Sequence, residues 1–224
     1  MSDNRNHLFT KMQQMAEQTR HEEIFNSILH AFGAIAAVAG LLLLVRGESD
    51  PLRLFSYTLF CGSMVILYSS SSIYHATTST LKRTAKKIDQ LAIYLLIAST
   101  YSPFTLILLV DDIRGKLVFA CVWLLALIGI LYEVVARSPA NRGIPVAIYL
   151  LMGWMALILA VPLTEKLSLN GFLWLLAGGL SYTFGLIFYA FDRRVRFFHA
   201  VWHLFVLAGS FFHFWVVYRY VAPA

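Results

Sequence analysis

Charge is what this sequence has least of. Only 13% of its 224 residues are Asp, Glu, Lys or Arg, about half the share found in soluble domains. With 59% hydrophobic residues and a mean hydropathy of +0.69, that shortage excludes a soluble globular enzyme and a disordered chain. It also excludes a nucleic-acid binder ruled by a basic patch, so no nucleic-acid partner is expected. Cysteine is scarce too: Cys61 and Cys121 both lie in apolar runs with no CxxC spacing, which leaves no disulfide framework and no redox motif. The first twenty residues, MSDNRNHLFTKMQQMAEQTR, lack an apolar h-region, so a cleavable signal peptide is not expected. Leu8, Phe9, Met12 and Met15 stand near helical spacing there, which fits either a short interfacial helix or a frayed tail. Alternation at period two is missing, which disfavours a β-barrel. Nothing reads as a low-complexity linker, an internal repeat or an inserted soluble domain.

Seven long apolar segments are what remains. They fall at about 24–45, 52–76, 88–110, 114–135, 144–163, 169–190 and 198–219, each long enough to cross the hydrocarbon as a helix of about 20 residues. The expected fold is all-α, an integral membrane bundle of seven transmembrane helices over 23–224, preceded by a polar segment at 1–22. Pro103 is expected to kink the third helix, and Ser181 and Gly185 form a small-xxx-small packing pair in the sixth. The net charge of +6 fixes orientation rather than a partner. If the N-terminus is cytoplasmic, the inside carries 12 of the 18 Lys and Arg and the outside the other 6, as the positive-inside rule asks. The C-terminus then lies outside, the reverse of a G-protein-coupled receptor. The inner cluster Lys82, Arg83, Lys86 and Lys87 is first a topology determinant, although such clusters also attract anionic lipid headgroups.

The few ionisable residues within the spans are costly, about 2.5–3.5 kcal/mol each for the acids and cations on insertion scales, and so point to function. They gather at one depth. His75 lies near the inner end of the second segment, Asp89 opens the third, and His199 and His203 stand in the first turns of the seventh. The i, i+4 spacing of His199 and His203 projects both imidazoles from one helix face, and His75 can add a third nitrogen. Three histidines and an open position are the catalytic zinc arrangement, so Zn²⁺ is the expected cofactor. Asp89 reads as a carboxylate that orients or deprotonates a zinc-bound water, or as a helix N-terminal carboxylate favoured by the dipole. Ser71, one turn before His75, reads as a hydrogen-bond partner of Asp89 or of a substrate carbonyl, or as a small packing residue. Asn26 and His30 lie near the inside on the first helix and could line the same cavity; interfacial capping and packing explain them as well. His213 reads as a packing or second-shell residue, since a haem pair with His199 would need a matching pair on another helix and none has one. Glu133 is expected to pair with Arg137 at i, i+4.

These residues carry a resemblance. E-E-I-F-N-S-I-L-H-A-F-G opens the first helix, S-S-S-I-Y-H runs from Ser70 to His75, K-I-D-Q-L-A-I-Y-L-L-I-A-S-T-Y-S-P-F from Lys87 to Phe104, and H-A-V-W-H-L-F-V-L-A-G-S-F-F-H from His199 to His213. Over about Glu22 to Tyr220 the chain resembles the hemolysin III family of bacterial membrane proteins, related to the adiponectin and progestin receptors and more distantly to alkaline ceramidases. The resemblance implies seven helices with the N-terminus inside, a multipass protein of the bacterial cytoplasmic (inner) membrane. It also implies a zinc held by His75, His199 and His203, with Asp89 and Ser71 close to its water. The chain lacks the receptors' long N-terminal domain, which argues against their hormone role.

Two function classes follow, with membrane lipids as the expected partners of both. One is a zinc-dependent hydrolase of a lipid amide or ester, with Asp89 taking a proton from water and Ser71 steadying the oxyanion. Its substrate would come from the inner leaflet, because His203 lies only some 7–8 Å into its helix at about 1.5 Å per residue. The other is a non-catalytic membrane-homeostasis or sensor protein in which zinc staples the second and seventh helices. A pore-forming haemolysin is the remaining reading, and no signal peptide or amphipathic insertion segment favours it. Substrate and oligomeric state are not written in the sequence.

Overall fold

The computed structural model describes residues 18–135 and 143–222. Seven helices long and apolar enough to cross a membrane run through these residues, with no strand among them. We number them α1 (Arg20–Val45), α2 (Pro51–Ala76), α3 (Lys82–Leu108), α4 (Ile113–Val135), α5 (Gly143–Lys166), α6 (Leu169–Phe191) and α7 (Phe198–Val221). Their outward faces are apolar, as with Phe32, Ile35 and Leu42 on α1 and Leu117, Leu124 and Leu131 on α4, which suits a lipid surround. α1 packs most extensively on α2, and α6 on α7. The possible helix around Leu8–Met15 and the Glu133–Arg137 pair fall on residues outside those described.

Helix starts lie outside the apolar runs. α3 begins at Lys82, six residues before the apolar segment, so Asp89 stands about two turns into the helix instead of opening it. Hydropathy marks where the hydrocarbon begins. The backbone keeps its helical hydrogen bonds through the headgroup zone as well, and there the side chains are Lys82, Arg83, Lys86 and Lys87. The N-terminal-dipole reading of Asp89 therefore falls. α1 likewise starts at Arg20, where Thr19 and Glu22 form a reciprocal capping box. α2 starts with Asp50 as N-cap and Pro51 in the first turn.

Pro103 marks a change of backbone. After Thr100 the chain turns, and Phe104–Leu108 is π-helical, with the Leu109 N–H donating to the Phe104 carbonyl at 2.9 Å. Proline offers no N–H to the regular ladder, and the wider turn absorbs the mismatch. Between α6 and α7 the small residues matter individually. A Cβ on Gly185 would stand 2.8 Å from Phe205 Cβ and 2.9 Å from the Trp202 ring, and one on Gly209 2.8 Å from the Tyr182 ring. Ser181, the other member of the small-xxx-small pair, bonds back to the Ala177 carbonyl at 2.8 Å. The start of α7 is held in place by α1. Phe197 adopts the left-handed conformation (φ 62°), which non-glycine residues rarely occupy. Its N–H donates to the Glu22 carboxylate. The turn that carries His199 is thereby fastened to the capped end of α1.

Candidate metal centre

At the end of the bundle where α1, α3 and α7 begin and α2 ends, three imidazoles converge. His75, in the last turn of α2, is buried; His203 is buried and His199 nearly so, on consecutive turns of α7. One nitrogen from each lies within 4.8 Å of the others. His75 Nε2 and His203 Nε2 are 3.0 Å apart. The ring centroids of His199 and His203 are separated by 4.5 Å, and each lies 5.1 Å from that of His75.

Two carboxylates decide which nitrogens face inward. Glu23 Oε2 stands 2.7 Å from His75 Nδ1, and Asp192 Oδ2 stands 2.8 Å from His199 Nδ1. An ionised carboxylate only accepts hydrogen bonds, so both Nδ1 atoms carry the hydrogen and both Nε2 atoms present a lone pair. The second oxygen of Glu23 accepts from Lys82 Nζ at 2.8 Å, so each carboxylate oxygen has its own donor. His199 Nε2 is buried with no hydrogen-bond partner among the described residues. An unpaired buried nitrogen costs about 1–3 kcal/mol, a cost that a cation taking its lone pair removes.

The donor set fits a metal ion on these grounds. Zinc–nitrogen bonds of about 2.0–2.1 Å in a tetrahedron imply nitrogens roughly 3.3 Å apart, within the spread seen here. Carboxylate–histidine pairs behind the ligands are the usual support of such a site. Glu23 and Asp192 do not figure among the site residues expected from sequence. The signal that finds them is chemical: a ligating histidine needs an acceptor for its other nitrogen, and these are acids that the helix ends bring to the required depth.

His199 and His203 sit on the wall of a cavity of about 930 Å³, with His75 behind them. It opens among Lys82, Arg83, Lys86, Lys87 and Arg193 and continues past apolar side chains as far as Leu163 and Phe172 at the opposite end. Asp89 is on the same wall as His199 and His203. Ser71, fully buried one turn before His75, is the side chain next to the Asp89 carboxyl, although its Oγ makes no hydrogen bond within 3.5 Å. His30 lines the cavity with its ring centroid 3.8 Å from that of His203, and neither of its nitrogens has a partner among the described residues. Asn26 stands behind the wall, fully buried, donating to Gln18 Oε1 at 3.1 Å; Gln18 itself faces the cavity. His213 lies ten residues beyond His203, about 15 Å along the helix. It lines a distant part of the cavity against Tyr182 and Phe104 and is not gathered with the other histidines. Glu133 faces the cavity with Lys87 beside it.

Comparison with known proteins agrees with this architecture. The family described as Haemolysin-III related matches residues 18–214. The chain is 37% identical over 217 residues to "Hemolysin-3" of Bacillus cereus, covering 95% of this chain and 97% of that protein. It is 38% identical over 211 residues to "Hemolysin-3 homolog" of Bacillus subtilis (strain 168), covering 90% and 95%. At greater distance it is 26% identical over 209 residues to the human "Monocyte to macrophage differentiation factor", covering 91% and 86%. With seven apolar helices, three convergent histidines and a match over most of its length, this chain is a multipass membrane protein that belongs to the haemolysin-III family.

Proposed function

We propose that the protein is a zinc-dependent hydrolase of an amide or ester bond in a membrane lipid, acting near the leaflet that faces the basic end of the bundle. The charge distribution supports a cytoplasmic basic end and hence the inner leaflet of a bacterial cytoplasmic membrane. One observation carries the reading: three imidazoles converge, two of them (His75 and His199) held at Nδ1 by carboxylates, beside a cavity of about 930 Å³ whose wall bears His199, His203 and the carboxyl of Asp89. A purely structural metal site is usually closed by four protein ligands, and three leave a position open.

When bound, zinc supplies a Lewis acid and a coordinated water acidified to a pKa near 7. The chain's own residues do the rest. Glu23 and Asp192 hold the His75 and His199 rings at fixed orientation through their Nδ1–H groups. Asp89 accepts a proton at a carboxylate oxygen and returns it to the leaving nitrogen or oxygen. The Ser71 hydroxyl, next to Asp89 and without a partner of its own, would turn in the reaction to donate a hydrogen bond to Asp89 or to the developing oxyanion. The apolar wall excludes water and lays the lipid chain along α3, α5, α6 and α7.

The test is purified, zinc-loaded protein against a panel of membrane lipids, read by untargeted mass spectrometry beside Asp89→Asn and His203→Ala. The reading expects turnover by the wild type, retained zinc with lost turnover in Asp89→Asn, and loss of both in His203→Ala. No turnover of any lipid by zinc-replete protein, with the wild type and His203→Ala alike, would overturn it in favour of a metal that only staples α2 to α7.

A further inference from the structure

The mouth of the cavity mixes both signs of charge, and most of the charges there are already spoken for. Lys82 is bound to Glu23 at 2.8 Å. Lys86 has Asp89 as its acidic neighbour. Lys87 faces Glu133 and also donates to the Val134 carbonyl at 3.1 Å. Asp192 is committed to His199 at 2.8 Å. Two cations are left over. Arg83, at the start of α3, and Arg193, just past the end of α6, both line the mouth, and neither has a hydrogen bond or ion pair with any other described residue. They come from segments far apart in sequence, and both are exposed while lining the same cavity. A topology signal needs positive charge in an inner loop. It does not need two arginines, one at the start of α3 and one just past the end of α6, lining one cavity. Guanidinium is the side chain that matches phosphate oxygens as a two-pronged donor.

We propose that Arg83 and Arg193 hold the phosphate of a lipid headgroup at the cavity mouth, so that the protein takes a phosphate-bearing lipid whose chain runs down the apolar wall past the histidines. This deepens the reading of the cavity as a lipid hydrolase site and rests on it for the chemistry, but the binding it describes is measurable without turnover. The amphiphile's polar group and tail fit the two ends of the cavity: paired and unpaired charge at the mouth, then apolar side chains as far as Leu163 and Phe172.

The experiment measures equilibrium binding of dioleoyl phosphatidic acid and of dioleoylglycerol, which has the same chains and no phosphate, to the full-length zinc-loaded protein in uncharged detergent. Phosphatidic acid is expected to bind at least about tenfold tighter, or about 1.4 kcal/mol. Arg83→Gln and Arg193→Gln should each cost roughly tenfold. Arg83→Lys with Arg193→Lys, which preserves net charge and therefore orientation, should still weaken binding several-fold because the planar fork is gone. Arg46→Gln, at the opposite end of the bundle, should change nothing. His203→Ala should lose metal yet keep phosphatidic acid binding, which separates this inference from the hydrolase reading: that reading can fail on turnover while the phosphate site stands. Equal affinity for the two lipids, wild-type binding by Arg83→Gln and Arg193→Gln, an equal loss in Arg46→Gln, or full displacement by equimolar inorganic phosphate would overturn it, the last because the ligand would then be free phosphate and not a lipid.

Discussion

Removing the Glu23 side chain is the sharpest perturbation of the metal centre that leaves every ligand in place. Glu23 makes two short contacts, 2.7 Å to His75 Nδ1 and 2.8 Å to Lys82 Nζ. In Glu23→Ala the His75 ring loses the acceptor that fixes its tautomer, and His75 Nε2 ceases to be a committed lone pair. Such supporting carboxylates are worth about 10–100-fold in metal affinity, or roughly 1.4–2.7 kcal/mol at 1.36 kcal/mol per decade. The Lys82 ion pair is partly exposed, with side chains 33% and 18% accessible, so screening keeps its own share to at most about 1 kcal/mol. Lys82→Met is the control that removes that share alone, and it should change zinc affinity by less than about threefold. Glu23→Gln keeps an acceptor oxygen without the charge and should fall between. The assay is zinc competition against a chromophoric chelator, with circular dichroism to confirm the fold. Wild-type zinc affinity in Glu23→Ala, or a loss in Lys82→Met as large as in Glu23→Ala, would refute the claim that Glu23 acts by orienting His75.

The packing makes its own predictions. Gly185→Ala should lower thermal stability by about 1–3 kcal/mol, because the new Cβ meets Phe205 and Trp202 inside 3 Å. Gly179→Ala, six residues away with nothing within 4 Å of its Cβ position, should be neutral; thermal denaturation in micelles compares the two. Ser210→Ala removes the shared partner of Tyr68 (2.5 Å) and Tyr182 (2.7 Å). At about 0.6 kcal/mol per hydrogen bond within membranes, and up to about 1.7, the loss should be roughly 1–3 kcal/mol, measured the same way, without change in zinc content. Asp192→Ala should weaken zinc binding about as much as Glu23→Ala, since it holds His199 as Glu23 holds His75. The double variant should lose more affinity than either single variant, and not by the simple product of the two losses, because both rings serve one ion.

Much of this was legible in the sequence for a physical reason. A helix in hydrocarbon must be apolar on every outward face, so segments stand out at their full length, and a charge or imidazole inside one is conspicuous. Helix direction and position along each segment align His75, His199 and His203 by depth alone. Helix ends were less legible: Lys82–Lys87 is helical yet reads as loop, because hydropathy senses the hydrocarbon and not the backbone. Azimuth was not legible either. Depth cannot say that the His30 ring lies tilted against His203 while Asn26 turns behind the wall, nor that His213 faces a distant part of the same cavity. Glu22 and Glu23 are neighbours with different tasks. Glu22 closes a capping box and fastens Phe197, and Glu23 orients a ligand. Nothing in their spacing separates the two.

The most direct measurement of the central claim is the metal content of the purified full-length protein, wild type beside His203→Ala, by inductively coupled plasma mass spectrometry. The account predicts close to one zinc per chain in the wild type and near none in His203→Ala. Metal-free wild type after growth and purification with zinc present, or equal zinc in both proteins, would contradict it.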